Sequence, residues 1–201
     1  MKAVQTEYKG YLFRSRLEAR WAVFFDACGV RWEYEPEGFA LDNGQYYLPD
    51  FLLHDVKGRA KGNLYVEVKG VMTREDADKI YKFSGLAEYE NELRVETPIL
   101  IVAGIPDGDS IGEIESFCRE WGYSGFPDAK NGPYPFNFET IDGDDYIAHP
   151  GINKDGHFEL FGDDSSCTED KDDFATLMAF RQARQARFEH GERPGIWRGY
   201  K

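Results

Sequence analysis

The sequence predicts an α/β domain in which helices flank a mixed sheet. Three observations predict it. Helical and alternating apolar periods follow one another as helix, three strands, helix, strand, helix over roughly residues 10–122. The run Pro98-Ile99-Leu100-Ile101-Val102-Ala103 is apolar throughout, as in a strand covered on both faces. A chain of 201 residues with 41% hydrophobic and 15% aromatic content can bury a real core.

The first helix is read over Ser15–Cys28, because Phe13, Leu17, Trp21, Phe24 and Cys28 recur at helical steps and Gly29 stops the run. Val30–Glu35 alternates as a strand. A turn at Asp42-Asn43-Gly44 leads to a second strand over Gln45–Leu53. The third, Leu64–Lys69, is rich in β-branched and aromatic residues. Its alternation puts Tyr65, Glu67 and Lys69 on one face and Leu64, Val66 and Val68 on the other. Thr73 opens a helix running to about Tyr89, with Asp76 placed to complete the cap. Ile111–Trp121 is a short amphipathic helix, and Asp172–His190 is a helix ended by Gly191 and Pro194. Between Phe126 and Lys171 prolines and glycines interrupt short strand-like pieces such as His157–Phe161. The chain thus divides into a core over 1–125, an acidic insertion with a hairpin or two over 126–171, and a C-terminal helix and tail over 172–201 that packs on the core.

Composition narrows the function. No apolar run is long enough to span a membrane, and the N-terminal residues lack the apolar stretch of a signal peptide. Cys28, Cys118 and Cys167 are odd in number and far apart, as expected of reduced thiols in a cytoplasmic protein. The net charge of −13 argues against a generic nucleic-acid binder, but residues 139–173 alone hold twelve acids against Lys154 and Lys171. Residues 1–20 and 174–201 are net basic, so the ends can meet phosphates while the acidic block stays clear of them. Around Asn153-Lys154-Asp155-Gly156 a calcium loop fails, with Gly151 and Gly162 at positions that need ligands. The four histidines show no zinc spacing.

The chemistry-bearing residues are Pro49-Asp50 and Glu67-Val68-Lys69. Separately such short motifs are usually structural. In this order, on strands read without reference to them, they suit a site that holds Mg²⁺ and cuts phosphodiesters, with an ammonium beside a carboxylate. Glu18 sits on a partly apolar helix face with Ala22 and Phe25, where a buried acid needs a partner. Ser15 and Glu18 also make a capping box, and both roles stay open. Arg14, Arg16 and Arg20 stand nearest the site as DNA contacts.

The element order, with Pro-Asp on the second strand and Glu-x-Lys on the third, resembles the PD-(D/E)xK nuclease superfamily, which has a restriction-endonuclease-like fold. Within it, Phe13–Trp21 followed by Gly29–Glu35 looks like the phage endonuclease and Holliday-junction-resolvase branch. The resemblance covers roughly residues 10–122 and implies a metal-dependent DNA endonuclease using Mg²⁺, with Mn²⁺ able to substitute. It implies that Asp50 and Glu67 ligate the metal, with the Val68 carbonyl as a further ligand. It implies that Lys69 orients or activates the attacking water, and that Glu18 joins the site at a second ion. A homodimer and an RNA substrate stay open. The competing expectation is a non-catalytic binding or inhibitor protein on a nuclease fold that engages a protein partner through its acidic 139–173 surface.

Overall fold

The computed structural model describes residues 4–41, 44–58, 62–84, 87–89, 92–94, 97, 99–110, 112–113, 137–139, 145–147, 149–161 and 170–188. Strands β1 (Thr6–Tyr8) and β2 (Tyr11–Phe13) form a hairpin that leads into helix α1 (Arg16–Ala27). There follow β3 (Arg31–Tyr34), the small ladder of β4 (Phe39–Ala40) with β5 (Tyr46–Tyr47), then β6 (Phe51–Gly58), β7 (Gly62–Val68) and α2 (Arg74–Ser84). After these come the hairpin β8 (Ala87–Tyr89)–β9 (Glu92–Arg94), β10 (Ile99–Val102), the hairpin β11 (Asn137–Glu139)–β12 (Asp145–Ile147), β13 (His149–Ile152), β14 (Phe158–Phe161) and α3 (Asp173–Gln185).

The central sheet has six strands in the order β10-β7-β6-β14-β13, with β3 also on β6. β10 runs parallel to β7, while β6 is antiparallel to both β7 and β3. β14 is parallel to β6 and antiparallel to β13. The protein is therefore a mixed α/β structure with a mixed-orientation sheet. β6 is shared along its length: Phe51–His54 pair with β3, and Lys57 and Gly58 pair with β14. Its register against β7 shifts between Leu53 and Val56, where Asp55 takes a left-handed φ of 57°.

Two apolar layers hold the sheet. Leu64, Val66 and Val68 of β7 and Leu100 and Val102 of β10 face one layer, with Trp21, Phe24 and Phe25 of α1 and Phe180 of α3. Phe24 and Phe180 stack at 4.3 Å between ring centroids and tie the two helices together. Ile99 and Ile101 face the other layer, with Ile80 and Phe83 of α2, Leu41 and Tyr47. The apolar run of β10 is thus buried on both faces, as its sequence requires.

Several expected boundaries move. The strand expected over Gln45–Leu53 is interrupted at Leu48-Pro49-Asp50, so that β5 pairs with β4 and β6 begins at Phe51. Pro49 has no N–H to give a ladder, which accounts for the break. The helix from Thr73 ends at Ser84, directly before Gly85, and Ala87–Tyr89 is a strand. Of the helix expected over Ile111–Trp121 only Gly112 and Glu113 are described, and they are helical. The hairpin β13–β14 joins the central sheet through β14, and Phe158 and Leu160 lie in its core. Asp172 caps α3 through a bond from the Ala175 amide at 2.9 Å, and α3 stops at Gln185, short of the expected His190, which lies outside the described residues. Among the described residues, no helix is long and apolar enough to cross a membrane.

Candidate active site

The site lies where β3, β6 and β7 meet at one end of the sheet. Tyr34 is paired with Phe51, and Phe51 with Val66. One step beyond, Glu35 just past β3, Asp50 just before β6 and Glu67 near the end of β7 bring a row of three acids to this end of the sheet. The Glu35 amide donates to the Asp50 carbonyl at 2.9 Å, which extends the β3–β6 pairing by this step. Like charges placed opposite one another destabilise a sheet, so the row needs compensation.

Asp50 is 3% exposed. Its Oδ2 accepts the Val68 amide at 2.7 Å and its Oδ1 accepts Arg14 Nη2 at 2.5 Å. Burial, then the charge of Glu67, push the Asp50 carboxyl up to about 8; the Val68 amide and Arg14 pull the other way, and Glu18 adds to the rise. Glu67, also 3% exposed, accepts the Tyr47 hydroxyl on Oε2 at 2.6 Å and meets Lys69 Nζ on Oε1 at 2.9 Å. Lys69 lies just past the end of β7, on the same face as Glu67, and reaches Asp76 Oδ1 at 3.1 Å as well. Burial opposes its charge, but Glu67 and Asp76 outweigh burial and raise its pKa above the ordinary lysine value. Lys69 is therefore a fixed ammonium, suited to orienting and to charge stabilisation, and not a proton acceptor. Asp76 is itself placed by the first turn of α2: the Thr73 hydroxyl donates to it at 2.6 Å and accepts its amide at 3.2 Å. Burial opposes ionisation here too, yet the Thr73 bonds and Lys69 hold Asp76 below the usual carboxylate range.

Glu18 is 7% exposed and lies close enough to raise Asp50. Ser15 caps α1 as expected, its Oγ accepting the Glu18 amide at 3.1 Å, but the return bond differs from a capping box: Glu18 Oε1 accepts the Ser15 hydroxyl at 2.6 Å in place of the Ser15 amide. Oε2 accepts the Tyr34 hydroxyl at 2.6 Å and the Arg14 amide at 3.1 Å. Both Glu18 oxygens thus have protein donors, and they fix the β2–α1 corner that carries Arg14.

The three arginines separate. Arg14 enters the site, pairing with Asp50 and, through Nε at 2.7 Å, with Glu35. Arg16 is half-buried in the first turn of α1. Arg20, a turn further on, is also half-buried, and its Nε is buried with no hydrogen-bond partner. On α3, Arg181 and Arg184 pair with Asp109 and Asp107. Tyr47, Tyr34 and Glu35 are the site residues that sequence reasoning missed. Nothing local marks them: Tyr34 and Glu35 reach the site by lying against the start of β6, and Tyr47 by its hydroxyl bond to Glu67.

Asp50 and Glu67 offer the hard oxygen donors that Mg²⁺ prefers, and Mg²⁺ commonly takes only one or two carboxylates. Their buried, mutually repelling charges suit a divalent cation. Glu18 does not complete a larger set: among the described residues no group of three or more His, Cys, Asp or Glu side chains is placed to hold a metal ion. No protein-family model and no curated protein matches the sequence.

Proposed function

We propose that the protein is a Mg²⁺-dependent deoxyribonuclease with a restriction-endonuclease-like core of the PD-(D/E)xK type. The observation that carries this is the convergence of Asp50, Glu67 and Lys69 on one sheet end, with the acids buried and the ammonium against Glu67 at 2.9 Å. Asp50 and Glu67 are the side chains that would hold the ion, with the Val68 carbonyl as the further ligand the resemblance implies. A bound Mg²⁺ supplies positive charge that polarises the phosphodiester and lowers the pKa of a coordinated water. Lys69 would orient the attacking water and stabilise the charge that develops on the phosphoryl oxygens. Tyr47 locks the rotamer of Glu67 through its buried hydroxyl, and the Val68 amide does the same for Asp50. Arg14 stands at the mouth with its side chain 53% exposed, where a phosphate can meet its guanidinium. Arg16 and Arg20 follow along α1 as backbone contacts. The segments on either side of the site expose Tyr46 at 78% and Val71 at 82%, an aromatic and an apolar surface for sugars and bases.

The test is cleavage of supercoiled, linear, single-stranded and four-way-junction DNA, with RNA beside them, in Mg²⁺ or Mn²⁺. Wild type is expected to cut DNA, while Asp50→Ala and Lys69→Ala are expected to fold and not to cut. Retained cleavage in both variants would overturn the proposal.

A further inference from the structure

We infer that Arg14 is an internal counter-ion of the acid row, and that a divalent cation entering the site must displace it from Asp50 Oδ1. The inference rests on the metal-dependent function above and specifies how the metal is admitted. Among the described residues, Arg14 pairs with Glu35 and Asp50, and Lys69 with Glu67 and Asp76, so each of these cations is shared between two acids. The two oxygens of Asp50 are not equivalent. Oδ2 is held by the Val68 backbone amide, which belongs to the sheet and cannot leave without breaking it. Oδ1 is held by a side chain, and that side chain is the accessible member of the pair: 53% exposed, against 5% for Asp50. Oδ1 is therefore covered by a side chain that itself reaches solvent.

The position of Arg14 is built from several directions. Its amide donates to Glu18 Oε2 at 3.1 Å and to the Tyr34 hydroxyl at 3.0 Å, so its backbone is anchored while its side chain can swing. Its Nε is held by Glu35 at 2.7 Å. Glu35 adopts φ 46°, a left-handed conformation that a residue with a Cβ takes at a cost and that glycine would take freely. A second carboxylate at a strained backbone position, holding the Nε of the same guanidinium whose Nη2 meets Asp50, is an independent sign that the guanidinium is held there. Once displaced, the planar fork is free to bind a phosphate in two-point fashion, which lysine cannot do. Metal and phosphate then favour one another: each draws Arg14 away from the acid row or rewards its departure.

Calorimetric titration of Mn²⁺ into the full chain tests this without reference to cleavage. The proteins are wild type, Arg14→Gln, Arg14→Lys and Asp50→Asn, with circular dichroism as the check of folding. Arg14→Gln is expected to bind Mn²⁺ about tenfold more tightly than wild type, the size of a typical coupling between sites. Arg14→Lys, which keeps the charge but not the fork that spans Asp50 and Glu35, is expected to shift affinity the same way by less, and it carries the test if Arg14→Gln does not fold. Asp50→Asn is expected to lose the binding. Equal or weaker Mn²⁺ binding by the folded Arg14 variants, in a protein whose wild type binds Mn²⁺ and cuts DNA, overturns this inference and leaves the nuclease standing. Absence of Mn²⁺ binding in every protein overturns both.

Discussion

The carboxylates of Asp50 and Glu67 are 5% and 4% exposed and meet Arg14 and Lys69, whereas those of Asp109 and Asp107 are 89% and 83% exposed and meet Arg181 and Arg184 on α3. The chemistry is the same and the depth is opposite. Exposed pairs contribute roughly 0–1 kcal/mol, because water and salt screen them. Buried pairs lose hydration that their mutual attraction scarcely repays, and apolar residues of equal volume commonly do as well or better. The acid row adds a further cost by setting Asp50 beside Glu67 across adjacent strands. The difference teaches that the α3 pairs are consistent with a solvated helix surface, while the charge at the end of β6 and β7 is hard to explain as a device for stability.

Four measurements break or sharpen that contrast. The largest effect is expected from Asp50→Ala, which should cut the rate of plasmid nicking by at least about a thousandfold, as expected when a buried electrostatic group is removed from an active site. The melting temperature of Asp50→Asn, which keeps an acceptor for the Val68 amide, should stay at or above that of wild type, since a buried acid whose ionisation is costly has gone. A clear fall in stability would show that the row supports the fold. Next, Lys69→Ala leaves Glu67 with Tyr47 alone and should cost about 3 kcal/mol in urea unfolding. Adding Glu67→Gln should recover most of that loss but none of the cleavage. Third, Tyr47→Phe deletes one buried hydroxyl and should lower cleavage or Mn²⁺ affinity by roughly 10–100-fold, the usual effect of removing a group that orients a ligand. An unchanged rate would exclude Tyr47 as a positioning residue. The smallest effect is expected on the surface: Arg181→Ala and Asp109→Ala should each change stability by less than about 0.5 kcal/mol. Cleavage should not change in either.

Much of the architecture was legible in the sequence because its signals are local. The helical spacing of Leu17, Trp21 and Phe24, closed by Gly29, located α1 to within a residue at each end. Alternation in Leu64–Lys69 correctly divided the faces of β7, since Leu64 and Val66 are fully buried and Tyr65 packs on the other layer. The errors arose where pairing overrode local pattern. Tyr46-Tyr47 and Phe51-Leu52-Leu53 read as one strand, but Pro49 splits them and sends them to different partners. His149–Phe161 read as part of an insertion, because nothing nearby announces that Glu159 and Leu160 pair with Lys57 and Gly58. In the site, Asp50, Glu67 and Lys69 stood out by residue type and order. Tyr47, Tyr34 and Glu35 did not, because a tyrosine in a strand looks like core and the left-handed turn at Glu35 has no glycine to mark it.

The double partnership of β6 has a consequence for biosynthesis. Lys57 and Gly58 wait for Glu159 and Leu160, about a hundred residues later in the chain, and closing so long a loop is slow to reward. Until the ribosome has delivered the β13–β14 hairpin, the far half of β6 is an open strand edge beside apolar Val56. The nascent protein is therefore exposed to mispairing in this interval, so a chaperone that shields the edge early would be expected to raise the yield of folded material, and slower synthesis of the residues between β6 and β14 to lower it.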